Sequence, residues 1–118
     1  GNEEAILDFA VINKYHVGML PYFLERLQSL DEGGTDLLEK TMIVFGSPMA
    51  DGNLHNHRRC PLIILGGGNG QLEGNLHLKA PDGTPMANVM LALMHKLGID
   101  DIGSFGDSTS DFSLTFPQ

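Results

Sequence analysis

Two short, continuous apolar segments on either side of a polar stretch constrain the fold of this chain more than any other feature. They are Thr41-Met-Ile-Val-Phe45 and Pro61-Leu-Ile-Ile-Leu65, and turn residues bound both. Continuous apolar runs of this length are typical of strands covered on both faces, as in a mostly parallel sheet. The sequence therefore predicts two buried strands, with a loop from Asp51 to His57 that reaches solvent between them.

A long helical pattern of apolar residues precedes these strands. Apolar residues from Ile6 to Leu30 keep near-helical spacing, and they predict an N-terminal helix over about 3–30. Gly18 and Pro21 interrupt the pattern, so we expect either one kinked helix or two helices that meet near Gly18, and we favour the kinked helix.

The C-terminal half predicts a further strand and a helix. Leu76–Ala80 alternates between apolar and polar residues, which favours a half-exposed strand in a β-hairpin that begins at Gln71. Thr84-Pro85 supplies a helix N-cap and a first helical residue, so a helix is expected from Met86 to Leu97. The predicted fold class is α/β, with a helix-covered, mostly parallel sheet and a β-hairpin.

Length and charge bound the domain organisation and the partners. The 118 residues fit a single α/β domain or domain fragment, with a sheet and final helix at about 41–99 and an irregular tail at 104–118. The net charge is −8, and the seven basic residues are scattered apart from Arg58-Arg59. Nucleic acid is therefore an unsuitable partner. No apolar stretch reaches the roughly 18 residues of a membrane span.

The most specific candidate site is the Asp51-x3-His55-x-His57 pattern. Two imidazoles and a carboxylate suit a divalent metal such as zinc, calcium or a similar ion, and residues two apart on an extended segment point to the same side. A turn at Asp51-Gly-Asn53 would bring the carboxylate towards the rings. The alternative is a polar loop whose Asp51, Asn53 and histidines satisfy neighbouring backbone groups.

Other polar residues give weaker signals. Ser47 lies at a predicted strand end and is a candidate accessible hydroxyl, but Gly46-Ser47-Pro48 lacks the second glycine of a nucleophile elbow. His16 lies on the apolar face of the first helix, where a core role competes with a functional one. His77 and His95 carry no specific signal.

Several segments together resemble the C-terminal portion of a family of exported bacterial proteins of uncharacterised function. The segments span nearly the whole chain: Tyr22-Phe-Leu24 with Leu27, Thr41–Ser47, Asp51-Gly-Asn53 with His55 and His57, Pro61–Gly67, Gly83-Thr-Pro-Met86 and Ser104–Thr109. That family in turn is similar to the alkaline phosphatase and sulfatase superfamily. The resemblance implies an exported or periplasmic protein with the C-terminal part of an alkaline phosphatase-like α/β/α domain.

The same resemblance limits what the chain does alone. The superfamily carries a metal-binding Asp-His pair after the first strand, where this chain has Pro48-Met49. Its nucleophile and first metal aspartate lie upstream of the matching region. The resemblance therefore implies that the remaining N-terminal part of a parent protein is the partner of this chain, and that the chain alone has no turnover.

Two functional hypotheses follow. In the first, the chain is the C-terminal part of a metal-dependent phosphate or sulfate ester hydrolase, with Asp51, His55 and His57 in its metal site. In the second, the scaffold has lost its metal site and serves as a binding or structural module at the cell surface.

Overall fold

The computed structural model of the chain describes residues 2–115, so residues 116–118 of the expected tail lie outside the described residues. The elements follow in the order α1 (Glu3–Gln28), α2 (Leu37–Lys40), β1 (Ile43–Gly46), β2 (Leu62–Leu65) and α3 (Ala87–Lys96). The chain divides into two compact units, one up to Leu38 and one from Glu39 onward.

The first unit is dominated by α1, a 26-residue helix. Asn2 is its N-cap, and the Asn2 side chain accepts a hydrogen bond from the first turn. Gly18 and Pro21 both lie inside this one helix. No residue of α1 is buried, although many of its side chains are large and apolar.

In the second unit, the two apolar runs pair with each other in an antiparallel sheet. Ile43 lies opposite Leu65, and Gly46 lies opposite Leu62. The expected mostly parallel, helix-covered sheet is therefore wrong. Parallel neighbours need a crossover connection, usually helical, whereas residues 47–61 contain no helix and simply return the chain. One face of the pair stays open, because Val44 is 43% exposed and Ile63 is 40% exposed.

The expected hairpin with a strand at Leu76–Ala80 is also wrong, since this segment has no strand pairing. The glycine-rich turn at 66–70, which precedes this segment, bonds to a different part of the chain. Gly68 has a φ of 54°. Its amide donates to the carbonyl of Thr41 at 3.1 Å, and the amide of Asn69 donates to the carbonyl of Glu39 at 2.8 Å. These bonds tie the turn to the segment before β1, so no partner strand is available for the alternating residues.

The core of the second unit lies under α3. Ala92, Leu93 and Leu114 form its buried cluster, and partly buried apolar residues pack on it: Met42, Ile64, Leu72, Leu78, Val89 and Phe112. Gly98 ends α3 with a φ of 80°. The amide of Ile99 then donates to the carbonyl of Met94, and the amide of Gly98 donates to the carbonyl of His95. These two bonds form a Schellman cap.

Candidate functional site

The candidate site is the loop from Ser47 to Pro61 that joins β1 to β2. The amide of Ser47 donates to the carbonyl of Pro61 at 3.2 Å, which closes the base of the loop. Further out, the amide of Ala50 donates to the backbone carbonyl of Asn56 at 3.1 Å, and the amide of Asn56 donates to the backbone carbonyl of Asp51 at 3.3 Å. The loop therefore has its own ladder of backbone bonds, and it presents the polar residues at its tip to solvent.

Asp51 shapes the tip of this loop. Its Oδ1 accepts hydrogen bonds from the amide of Asn53 at 2.9 Å and from the amide of Leu54 at 3.0 Å. Both bonds are those of an Asx turn, in which a short carboxylate satisfies the backbone two and three residues on. Asp51 therefore has a structural role in the loop, and Asn53 takes part in it through its backbone amide.

His57 is held in a different way. Its Nδ1 lies 2.6 Å from the carbonyl oxygen of Pro48. Since a carbonyl only accepts, Nδ1 carries a proton, which leaves Nε2 as the nitrogen that can offer a lone pair. The Sγ of Cys60 donates to the same carbonyl at 3.2 Å. This arrangement fixes both the tautomer and the orientation of the ring.

His55 is exposed at the tip of the loop and adopts a left-handed backbone with a φ of 50°. A non-glycine residue in this conformation stores strain that the surrounding turn must offset. Within residues 2–115, no group of three or more histidine, cysteine, aspartate or glutamate side chains has a geometry that could hold a metal. The loop therefore does not bring Asp51, His55 and His57 together as a three-ligand set.

The remaining candidates are Ser47 and His16. Ser47 is half-buried, and its Oγ accepts a bond from the amide of Met49 at 3.2 Å, which closes a local turn. His16 lies on the exposed surface of α1, in the first unit, with its ring centroid 5.9 Å from that of Tyr15. Ser47 is therefore engaged in its own turn, and His16 belongs to the other compact unit.

The C-terminal end of the loop is anchored by an ion pair. Arg59 donates from Nε and Nη2 to the two carboxylate oxygens of Asp82 at 3.3 and 3.1 Å. The Arg59 guanidinium, through these hydrogen bonds and its charge, lowers the pKa of the Asp82 carboxyl. Both side chains are largely exposed, so the pair orients the loop more than it stabilises the fold.

His95 has a hydrogen-bond partner at each ring nitrogen, and the sequence pattern does not reveal this arrangement. Its Nδ1 lies 2.7 Å from a carboxylate oxygen of Asp111, and its Nε2 lies 2.8 Å from the carbonyl of Ile102. The hydrogen bond to Ile102 first, and then that to Asp111, raise the pKa of this imidazole. A histidine in the last turn of a helix often contacts groups beyond its C-terminus, but the two partners here follow only from the fold.

None of the helices in the described residues is long and apolar enough to cross a membrane. Comparisons of the chain with protein-family models, with curated proteins and with solved structures found no match.

Proposed function

We propose that this chain is the C-terminal part of an exported bacterial protein related to metal-dependent phosphate and sulfate ester hydrolases. In this proposal the loop between β1 and β2 supplies His57 as a metal ligand. The observation that carries the proposal is the His57 ring, whose Nδ1 donates to the carbonyl of Pro48 and so leaves Nε2 as the nitrogen that can bind a metal. Histidine ligands of metals characteristically donate their second ring nitrogen to a carbonyl or carboxylate in this way.

The loop residues fit a partial site better than a complete one. His57 has the tautomer and the fixed orientation that a ligand needs, while Asp51 is engaged by its own turn. A divalent ion held there would supply Lewis-acid polarisation of the ester and stabilisation of the negative charge on its oxygen. The other ligands and the nucleophile would then come from the N-terminal part of the parent protein, whereas Pro48-Met49 at the position of the superfamily's metal pair favours the alternative below.

The surface of α1 supports the view that the chain is incomplete alone. Large apolar side chains of α1 are between 46% and 67% exposed: Ile6, Leu7, Phe9, Val11, Ile12, Tyr15, Val17, Met19, Tyr22 and Phe23. Successive residues of an α-helix are rotated by about 100° around the helix axis, so the side chains of Phe9, Val11 and Ile12 leave α1 in three different directions. A helix that is apolar on all sides is normally buried in a larger protein. A single partner helix covers one stripe, so we infer that several elements of the parent enclose α1.

A second candidate is a non-catalytic binding or structural module. The observation in its favour is that the loop satisfies itself, since Asp51 caps two backbone amides and no three-ligand group occurs among residues 2–115. In this alternative the His57 bond only stiffens the loop, and the exposed polar tip recognises a partner of the module.

Metal analysis of the parent protein tests the first proposal. We expect the parent to retain a divalent ion after dialysis, and His57→Ala to weaken its affinity at least about tenfold, because the fixed ligand is lost. His77→Ala is the matched control, since His77 is an exposed histidine of the same unit outside the loop, and it should leave metal content unchanged. Equal metal content in the parent and in His57→Ala would exclude His57 as a ligand and favour the non-catalytic module.

A further inference from the structure

We propose that His95 is a proton-dependent clamp that holds two segments beyond α3 and releases one of them when the imidazole loses a proton. The held segments are the turn at 99–104, through the carbonyl of Ile102, and the C-terminal segment 108–115, through the carboxylate of Asp111. The clamp belongs to the second unit and is independent of the proposed metal ligand.

The chemistry of the two partners dictates the protonation state. A backbone carbonyl and an ionised carboxylate can only accept, and both lie within hydrogen-bonding distance of a ring nitrogen of His95. A neutral imidazole has one N–H, whereas the imidazolium has two. Both contacts are satisfied at once only when His95 is charged.

The charged groups around the ring favour the same state. Asp111 from the C-terminal segment and Asp100 from the turn after α3 both act on the imidazole with negative charge. Lys96 is the neighbouring cation on α3, and its Nζ donates to the carbonyl of Gln71 at 2.6 Å. The charges that act on the His95 imidazole are those of Asp111 and Asp100.

Release of Asp111 affects buried structure, because its neighbours belong to the core. Phe112 and Leu114 follow Asp111 in the chain and pack with Ala92 and Leu93 of α3. The amide of Phe112 also donates to the carbonyl of Asn88 at 3.2 Å. A loss of the His95 bond removes the contact immediately before this packed stretch, so the segment is expected to open more often.

The sign of the pH dependence follows from the direction of the shift. The pKa of His95 is higher in the folded chain than its ordinary value of 6.5. The stabilisation from the clamp is therefore complete below 6.5 and is lost as the pH rises through the folded-state value. Segment 108–115 is expected to be held most firmly in mildly acidic solution and to loosen on the alkaline side.

NMR of the 118-residue chain tests the clamp without any substitution. Long-range ¹H–¹⁵N spectra should show both His95 nitrogens protonated at pH 5.5, with a midpoint above 6.5. Across that midpoint, the hydrogen-exchange protection factor of the Phe112 amide should fall by about fivefold, as expected for loss of one hydrogen bond. A protection factor that stays constant through the His95 titration would overturn the proposal, as would a singly protonated ring at pH 5.5.

Variants separate the clamp from a general effect of pH. In His95→Gln, the Phe112 protection factor should be low and independent of pH, since the side-chain amide does not titrate. In Asp111→Asn, the midpoint of His95 should move down towards 6.5. His77→Gln is the control and should reproduce the wild-type profile. A pH-dependent loss of protection that persists in His95→Gln would contradict the assignment to His95.

Discussion

Asn88 holds Thr109 at two points, although the two residues are far apart in the chain. The amide of Thr109 donates to Oδ1 of Asn88 at 2.9 Å, and Nδ2 of Asn88 donates to Oγ1 of Thr109 at 3.3 Å. The Asn88 side chain is the only buried polar one within residues 2–115, with 4% of the residue exposed. Its bonds connect α3 to the irregular C-terminal segment.

Asn88→Ala should therefore destabilise the second unit. The substitution removes both hydrogen bonds and leaves the amide of Thr109 without its acceptor, which costs about 1–3 kcal/mol. Urea unfolding followed by circular dichroism measures the change. Thr109→Val is the matched control, because it removes only the Nδ2–Oγ1 bond and keeps the shorter one, so its effect should be smaller. Equal stability of wild type and Asn88→Ala would refute this role of the side chain.

Gly46 marks the point of closest approach in the sheet. A Cβ at this position would meet the carbonyl oxygen of Pro61, which belongs to the segment paired with it. Because this obstacle is backbone and not a flexible side chain, Gly46→Ala should destabilise the β1–β2 pair by about 1–3 kcal/mol. The midpoint of denaturant unfolding reports the loss.

Gly74→Ala provides the control for that experiment. A Cβ at Gly74 meets nothing within 4 Å, and the residue does not have a positive φ. Its substitution should change stability by no more than about 0.5 kcal/mol. If Gly46→Ala and Gly74→Ala behaved alike, the close approach of Pro61 to Gly46 would not be a constraint on the fold.

The Arg59–Asp82 pair predicts a specific titration behaviour. The folded-state pKa of Asp82 should lie below its ordinary value of 3.8, mainly because of Arg59 and to a lesser degree because of Arg58. The pair thus contributes to stability above pH 3.8, and this contribution is lost as the pH falls through the folded-state value. In ¹³C NMR titrations, Arg59→Gln should raise the Asp82 pKa more than Arg58→Gln does. The reverse order would show that the bidentate contact is not the cause.

If the parent protein encloses α1, a charge introduced on this helix should destabilise the parent much more than the isolated chain. Ile12 is 51% exposed in this chain, so Ile12→Glu should change the stability of the isolated chain by no more than about 0.5 kcal/mol. In the parent protein the same carboxylate is placed against apolar groups, and a loss of more than about 2 kcal/mol is expected.

Ile12→Leu is the control at the same position, because it keeps an apolar side chain of similar volume, and thermal unfolding of both variants in both proteins gives the comparison. Ile12→Leu should be mild in the parent as well as in the isolated chain. A mild effect of Ile12→Glu in the parent would show that this face of α1 remains in solvent and would contradict the enclosure.

The sequence carried clear local information on the helices. The apolar spacing of α1 is visible from Ile6 onward, and the structure ends this helix at Gln28. At α3, Gly98 supplies the left-handed residue of the Schellman cap. Thr84, expected as an N-cap, instead donates from Oγ1 to the carbonyl of Pro81 at 2.8 Å and closes the preceding turn. Local spacing and turn chemistry are short-range properties, which is why they can be read from the chain.

The sheet could not be predicted in the same way. Apolar runs such as Ile43–Gly46 and Leu62–Leu65 indicate strands, but they specify neither the relative direction of the strands nor the open face of the pair. Direction depends on the connection, and the absence of a helical pattern in 47–61 was the signal for an antiparallel return. Similarly, the spacing of Asp51 and His57 gives no information on whether Asp51 would cap its own turn. The link from His95 to Asp111 depends on tertiary packing, which no local pattern reports.

The most direct measurement of the central claim is hydrolysis of aryl phosphate and aryl sulfate monoesters by the parent protein, its His57→Ala variant and the 118-residue chain alone. We expect turnover by the parent, a loss of at least about 100-fold in His57→Ala because a metal ligand is removed, and no turnover by the isolated chain. His77→Ala should retain the activity of the parent. Undiminished activity of His57→Ala, or turnover by the isolated chain, would contradict the account.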